Sequence, residues 1–161
     1  MKYFVIADTH FWHQNIIRYC DRPFKNVDRM NSYITNKWNA AVSKQDKVFM
    51  LGDFAWTNNL ATLRQLREKL NGYIILVKGN HDTCSNKVYL EAGFEEVSKY
   101  PILVENYYLL SHEPLFLPPN SPYFNFYGHV HNDPRYRDTE TSRCVSVERI
   151  NYEPLKFFEK S

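Results

Sequence analysis

No stretch of the 161-residue sequence approaches the ~20 consecutive apolar residues that a helix needs to cross a bilayer. The first apolar run ends at Asp8, which makes it too short for a secretory signal peptide. There are three cysteines, Cys20, Cys84 and Cys144, and no Cys-x-x-Cys pair. An odd and widely spaced set does not form a disulfide framework, so we expect reduced thiols and a cytoplasmic location.

An excess of charge of one sign is also missing. Lys and Arg number 20 against 18 Asp and Glu, which gives a formal net charge of +2. This balance does not favour a protein that holds nucleic acid on a broad basic face, although a small site could still take a nucleic-acid substrate. Internal repeats and linkers rich in Gly, Ser or Pro are absent as well. We therefore expect one domain over residues 1–161.

The patterns that are present alternate between strand and helix in the first half of the chain and become almost entirely strand after residue 94. Helical spacing covers 27–41, with Asn26 as N-cap, then 60–70 and 86–92. Apolar runs predict strands at 3–7, 47–51, 73–77, 94–97, 102–104, 107–110, 123–127, 145–150 and 155–158. Such alternation predicts an α/β fold with parallel strands, followed by hairpins or a second sheet.

Five of the predicted strands are followed by Asp, Asn or His side chains. The clusters are Asp8-Thr9-His10, Gly52-Asp53, Gly79-Asn80-His81-Asp82, Ser111-His112 and Gly128-His129-Val130-His131. Ligands bind at the carboxyl ends of strands in open α/β sheets, so these clusters are expected to share one crevice. A single histidine there is more often structural, but Gly-Asn-His-Asp arises by chance in about one in a thousand chains of this length.

The donor set contains oxygen and nitrogen atoms and no sulfur. It suits borderline divalent ions such as Mn²⁺, Fe²⁺, Ni²⁺ or Zn²⁺ better than ions that prefer thiolates. The set is also large enough for two metals that share a ligand, an arrangement that clamps the attacking and leaving oxygens at phosphorus.

The ordered motifs Asp-x-His, Gly-Asp, Gly-Asn-His-Asp, His and Gly-His-x-His resemble those of the calcineurin-like metallophosphoesterases, and they span most of the chain. The resemblance implies a double β-sandwich flanked by helices in four α/β/β/α layers. It also implies a centre of two divalent metals, Mn²⁺ foremost, with a bridging hydroxide that attacks phosphorus. The ligands implied by the resemblance are Asp8, His10, Asp53 and His131 for one metal, and Asp53, Asn80, His112 and His129 for the other.

The resemblance also implies roles beside the metals. His81 would face the phosphate as general acid or transition-state stabiliser, and Asp82 would fix its tautomer and orientation. Many relatives carry a second Asp where this chain has Trp56, which forms either an aromatic wall for the substrate or a packing contact against a helix.

Three further residues are candidates for substrate binding. His13 lies three positions after His10 and could reach substrate or metal-bound water. Arg18 and Arg22 are candidates for a phosphate clamp, because guanidinium groups pair with phosphate through two parallel hydrogen bonds.

The sequence thus predicts a metal-dependent phosphoesterase, with a phosphodiesterase as the leading interpretation and a small or nucleotide-like diester as substrate. A nuclease or RNA-end phosphatase is the alternative within enzymes, and it is disfavoured by the balanced charge. A catalytically silent metal-binding scaffold is the alternative of another class. We expect a monomer or homodimer without a membrane partner.

Overall fold

The computed structural model describes all 161 residues and contains four α-helices and nine strands. The helices are α1 (Gln14–Tyr19), α2 (Val27–Ala41), α3 (Leu60–Glu68) and α4 (Asn86–Glu91). The strands are β1 (Lys2–Ile6), β2 (Lys47–Met50), β3 (Tyr73–Val77), β4 (Glu96–Ser98), β5 (Ile102–Val104), β6 (Tyr108–Ser111), β7 (Phe124–Tyr127), β8 (Ser142–Cys144) and β9 (Leu155–Glu159). None of the helices has the length and apolar character that crossing a bilayer requires.

The strands form two sheets. The first has the order β4-β3-β2-β1-β9, in which only β9 runs antiparallel to its neighbour. The second has the order β5-β6-β7-β8, in which β6, β7 and β8 are parallel. The parallel strands of the two sheets run in such a direction that their carboxyl ends lie at one end of the molecule. These strands are β1, β2, β3, β6 and β7.

Alternation along β1 explains why the sheets form two layers. Phe4 and Ile6 belong to the larger apolar core, where the four helices pack on the first sheet. Tyr3 and Val5 point the other way, into a smaller core that lies between the two sheets. Because side chains alternate across a strand, burial on both faces requires the near-continuous apolar runs seen in the sequence.

The predicted α/β class, the double sandwich and the flanking helices are confirmed. Helix α2 has the predicted bounds, and the Asn26 side chain accepts a hydrogen bond from the backbone N–H of Arg29, as an N-cap should. All four α-helices pack on the first sheet, and no α-helix follows Glu91.

The prediction was wrong at residues 145–150. Strand β8 ends at Cys144, and Val147–Arg149 form a short 3-10 helix instead. The apolar residues suggested a strand there. Instead, Ser146 pairs with Ala7 in a single isolated parallel bridge, and the chain then turns. Helix α1 was not predicted, because its six residues are too few to establish a period.

Candidate metal centre

The five predicted polar clusters meet where the carboxyl ends of the parallel strands converge. Two backbone hydrogen bonds hold this edge together across the sheets and between strands. The Ala7 N–H donates to the carbonyl of Val145 at 2.9 Å, and the Asp8 N–H donates to the carbonyl of Gly52 at 3.0 Å. Backbone hydrogen bonds thus join the chain after β1 to the loop after β2 and to the segment after β8.

A first group consists of Asp8, His10 and His131, whose ligand atoms lie within 4.8 Å of one another. Asp8 Oδ2 accepts hydrogen bonds from the His129 N–H and the Ser146 hydroxyl, which leaves the buried Oδ1 without a partner. His10 Nε2 is buried and unpartnered as well. A buried polar atom without a partner costs about 1–3 kcal/mol, and a cation between these atoms would remove that cost.

A second group consists of Asp53, His112 and His129, again with ligand atoms within 4.8 Å. Asn80 Oδ1 joins them at 2.9 Å from His112 Nε2 and 3.1 Å from His129 Nδ1. His112 Nδ1 lies 2.8 Å from the carbonyl oxygen of Leu51. Because a carbonyl only accepts, the proton of the neutral ring sits on Nδ1, and the lone pair of Nε2 faces the group.

Asp53 lies between the two groups. Its Oδ2 is 3.5 Å from His10 Nε2 and 3.6 Å from His112 Nε2, while its Oδ1 accepts from the backbone N–H of His81 at 2.9 Å. Burial is the main reason that the pKa of His10 is lowered, so this ring is neutral and acts as a lone-pair donor. One carboxylate oxygen shared by two sets of O and N donors fits a pair of divalent cations.

The backbone at these positions adopts an unusual conformation. Five of the seven candidate ligands have positive φ angles: Asp8 (58°), His10 (47°), Asp53 (54°), His129 (70°) and His131 (49°). Such angles are uncommon outside glycine and cluster at functional sites. A Cβ at Gly79 would collide with the Asp53 carboxylate, which explains the glycine of the Gly-Asn-His-Asp motif.

Asp82 does not have the role that we expected. Its Oδ2 accepts from the backbone N–H groups of Asp53 (2.7 Å) and Gly79 (2.8 Å), and its Oδ1 accepts from that of Phe54 (3.1 Å). Burial is the largest of the causes that raise the pKa of Asp82 to about 6. No hydrogen bond joins Asp82 to the His81 ring, so the carboxylate ties the loop after β2 to the loop after β3.

Arg22 was expected to clamp phosphate, and the structure contradicts this. Its side chain is buried, and the guanidinium donates to the backbone carbonyls of Asp8 (2.7 Å) and Thr9 (2.9 Å). It also forms an ion pair with Glu148, with a separation of 2.8 Å between Nη2 and Oε1. Because all of these contacts lie inside the protein, the guanidinium is not available to bind phosphate. Arg22 instead stabilises the backbone of the Asp8-Thr9-His10 motif.

Glu148 is a part of the site that the sequence did not indicate. Its Oε1 accepts from His131 Nδ1 at 3.0 Å, which directs Nε2 of that ring toward Asp8. Burial lowers the pKa of His131, but hydrogen bonds with Cys20 and Glu148 together with the charge of Asp8 raise it to about 11. Glu148 lies in the 3-10 helix that replaced a predicted strand, and no motif marks it.

The side chain of His81 is exposed and has no hydrogen-bond partner within the protein. His13 is 8% exposed, and its Nδ1 lies 3.2 Å from His10 Nδ1, so it contacts a candidate ligand directly. Trp56 stacks on the His13 ring, with the centroids 4.1 Å apart. Arg18 is exposed on α1 with its guanidinium over the Tyr19 ring, and no contact joins it to the ligand groups.

Residues 1–159 match the family model described as calcineurin-like phosphoesterase. The chain belongs to this family. It is 37% identical to the uncharacterized protein MJ1445 of Methanocaldococcus jannaschii, across 96% of this chain and 86% of that protein.

Two solved structures resemble this member of the family. The protein of unknown function AQ665 from Aquifex aeolicus matches with a TM-score of 0.74 and 27% identity, over 96% of this chain and 95% of that one. The Pseudomonas putida nuclease MPE matches with a TM-score of 0.54 and 22% identity, over 80% of this chain and 61% of that one. At that identity the likeness to the nuclease concerns the fold.

Membership of the calcineurin-like phosphoesterases makes the protein a hydrolase that acts on phosphoric ester bonds with the help of divalent metal ions. The two groups of candidate ligands at the strand ends are where those ions would bind.

Proposed function

We propose that this calcineurin-like phosphoesterase hydrolyses phosphodiesters at a dinuclear centre. The observation that carries the proposal is the position of Asp53 Oδ2, which is 3.5 Å from a nitrogen of one ligand group and 3.6 Å from a nitrogen of the other. In this assignment Asp8, His10, Asp53 and His131 hold one cation, and Asp53, Asn80, His112 and His129 hold the second. We propose Mn²⁺ first, with Fe²⁺, Ni²⁺ and Zn²⁺ as alternatives, because the donors are oxygen and nitrogen without sulfur.

When bound, such a pair of cations lowers the pKa of a shared water and neutralises negative charge on the phosphoryl oxygens. The protein's own residues supply orientation and a proton. The backbone N–H of His81 donates to Asp53 Oδ1, which fixes this histidine next to the shared carboxylate. Its unpartnered imidazole is free to donate a proton or a hydrogen bond to an ester oxygen, a contribution that is typically about 10²–10⁴-fold in rate.

The preference for a diester rests on the shape of the surface. A cleft of about 310 Å³ is lined by Trp56, Thr57, Asn58, His81 and Thr83. A second cleft of about 380 Å³ has Asn80 and His112 in its wall. Since Asn80 and His81 are consecutive, the two clefts adjoin the same loop after β3. A diester has a substituent on both sides of phosphorus, whereas a monoester has one.

The test is hydrolysis of bis-p-nitrophenyl phosphate and of p-nitrophenyl phosphate by chelator-stripped protein, with and without added Mn²⁺. We expect turnover only with metal and a higher rate on the diester. His81→Ala and Asp53→Asn should each lower that rate by at least about 10²-fold, and the exposed Lys87→Ala serves as the matched control. Metal binding without turnover on either ester would instead favour a silent scaffold. A faster monoester would reverse the proposed preference.

A further inference from the structure

The surroundings of the Trp56 side chain are not those of an indole packed into the protein core. The indole is 51% exposed, so it does not pack into a helix interface. Its backbone is fixed, because the Trp56 N–H donates to the carbonyl of Phe11 at 2.7 Å next to a bridge between Phe11 and Ala55. The His13 ring covers one side of the indole at an interplanar angle of 13°. The plane of the indole is thus set in advance, and much of it remains open to solvent.

This indole lies beside the reacting end of the site. Its ring centroid is 5.1 Å from that of His81, and the His13 ring on which it stacks contacts His10. Trp56 and His81 are both part of the wall of the 310 Å³ cleft. A phosphate within reach of His81 therefore directs one ester substituent into this cleft and over the indole.

The chemistry of the cleft restricts what that substituent is. Trp56 is the one apolar side chain in the lining, and Thr57, Asn58 and Thr83 form a polar rim without Lys or Arg. Asn58 Oδ1 accepts from the Thr83 hydroxyl at 3.1 Å, while the Asn58 Nδ2 group donates to no atom of the protein. A flat aromatic surface with hydrogen-bonding groups at its edge matches a nucleobase, which offers a π-face for stacking and acceptors on its rim.

We propose that this cleft is a nucleoside subsite, in which the base of a nucleotide diester stacks on Trp56. The inference rests on the proposed phosphodiesterase function and names its substrate class. Because the lining of this cleft carries no basic side chain, recognition on this side of the scissile phosphate depends on the base. It does not depend on further backbone phosphates, so a short nucleotide diester is favoured over a long strand that continues into this cleft.

The decisive experiment compares three diesters in the presence of Mn²⁺, namely thymidylyl-thymidine and the two analogues that each lack one of its bases. In the wild type, loss of the stacked base should lower kcat/KM about 5- to 150-fold, the range expected for one base–aromatic stack. Trp56→Ala should abolish this difference and Trp56→Phe should retain part of it. The matched aromatic control is Phe116→Ala, because Phe116 is 91% exposed and does not line this cleft, and it should leave the ratio unchanged.

A binding measurement separates this inference from the activity. Thymidine 5′-monophosphate should quench tryptophan fluorescence, ribose 5-phosphate should not, and Trp56→Phe should lose the effect. Equal kcat/KM with and without either base would overturn the subsite while leaving bis-p-nitrophenyl phosphate turnover, and hence the proposed function, intact. So would an equal loss on all diesters in Trp56→Ala, which would mean that the indole only supports His13. A thymidine oligonucleotide that is cleaved faster than the dinucleotide, with strong salt dependence, would contradict the preference for short diesters.

Discussion

The connection from Arg22 through Glu148 to His131 gives the sharpest prediction of the structure, and Glu148→Gln tests it. A single oxygen, Oε1, accepts from Arg22 Nε (2.9 Å), from Arg22 Nη2 (2.8 Å) and from His131 Nδ1 (3.0 Å). The two side chains of the ion pair are 0% and 6% exposed. The substitution keeps the shape and one acceptor oxygen, but it leaves the buried guanidinium without a counter-charge.

The magnitude follows from that burial. Removing one partner of a buried ion pair costs about 3–5 kcal/mol, and the retained amide oxygen places Glu148→Gln near about 3 kcal/mol. Domains have a net stability of about 5–15 kcal/mol, so most of the protein should still fold. A histidine ligand that loses its orienting carboxylate binds metal about 10- to 100-fold more weakly, and we expect that loss for the group that contains His131.

Two assays read these effects separately. Urea unfolding of chelator-treated protein reports the free energy of unfolding, and calorimetric titration with Mn²⁺ reports the affinity. The control is Glu153→Gln, whose exposed pair with Lys37 at 3.2 Å should contribute less than about 1 kcal/mol. Unchanged Mn²⁺ affinity in folded Glu148→Gln would refute the idea that this carboxylate holds the ligand in place. An unchanged urea midpoint would refute the ion-pair argument.

Three further substitutions probe other parts of the design. Gly128→Ala would place a Cβ 2.6 Å from Asp8 Oδ2. It should lower the free energy of unfolding by about 1–3 kcal/mol and weaken Mn²⁺ binding. A thermal midpoint equal to that of the wild type would contradict this. Asn26→Ala should lower the free energy of unfolding by about 1 kcal/mol in urea with Mn²⁺ affinity unchanged, because it removes only the cap of α2. Asp82→Ala removes the acceptor of three N–H groups, two of them buried, at about 1–3 kcal/mol for each buried donor. Loss of the folded circular dichroism spectrum is therefore expected, and a stable variant would speak against this role.

Sequence reasoning located the strand-end clusters because parallel strands oblige their carboxyl ends to meet. That topology brought together Asp8 and His131, which are far apart along the chain, without any knowledge of side-chain directions. The same reasoning could not establish whether a guanidinium faces outward or inward. Arg22 was therefore assigned to the substrate, although it lies beneath the first motif.

The residues that were missed share a physical reason. Glu148 acts through a contact with Arg22 across 126 positions, and nothing in its local sequence reflects that contact. The exposed indole of Trp56 was left with two interpretations, because spacing does not determine which neighbour a large ring stacks on. Only the three-dimensional arrangement distinguishes a surface beside His81 from packing against a helix.

The positive φ angles at the candidate ligands have a consequence for how the protein responds to its surroundings. At about 1 kcal/mol each, five such residues raise the free energy of the folded chain by roughly 5 kcal/mol. Binding of a metal that is present at a thousand times its dissociation constant stabilises the folded protein by about 4 kcal/mol through mass action. The melting temperature of the protein then depends on the metal concentration of the solution as well as on the polypeptide. Metal starvation would act on the abundance of the folded protein as well as on its turnover.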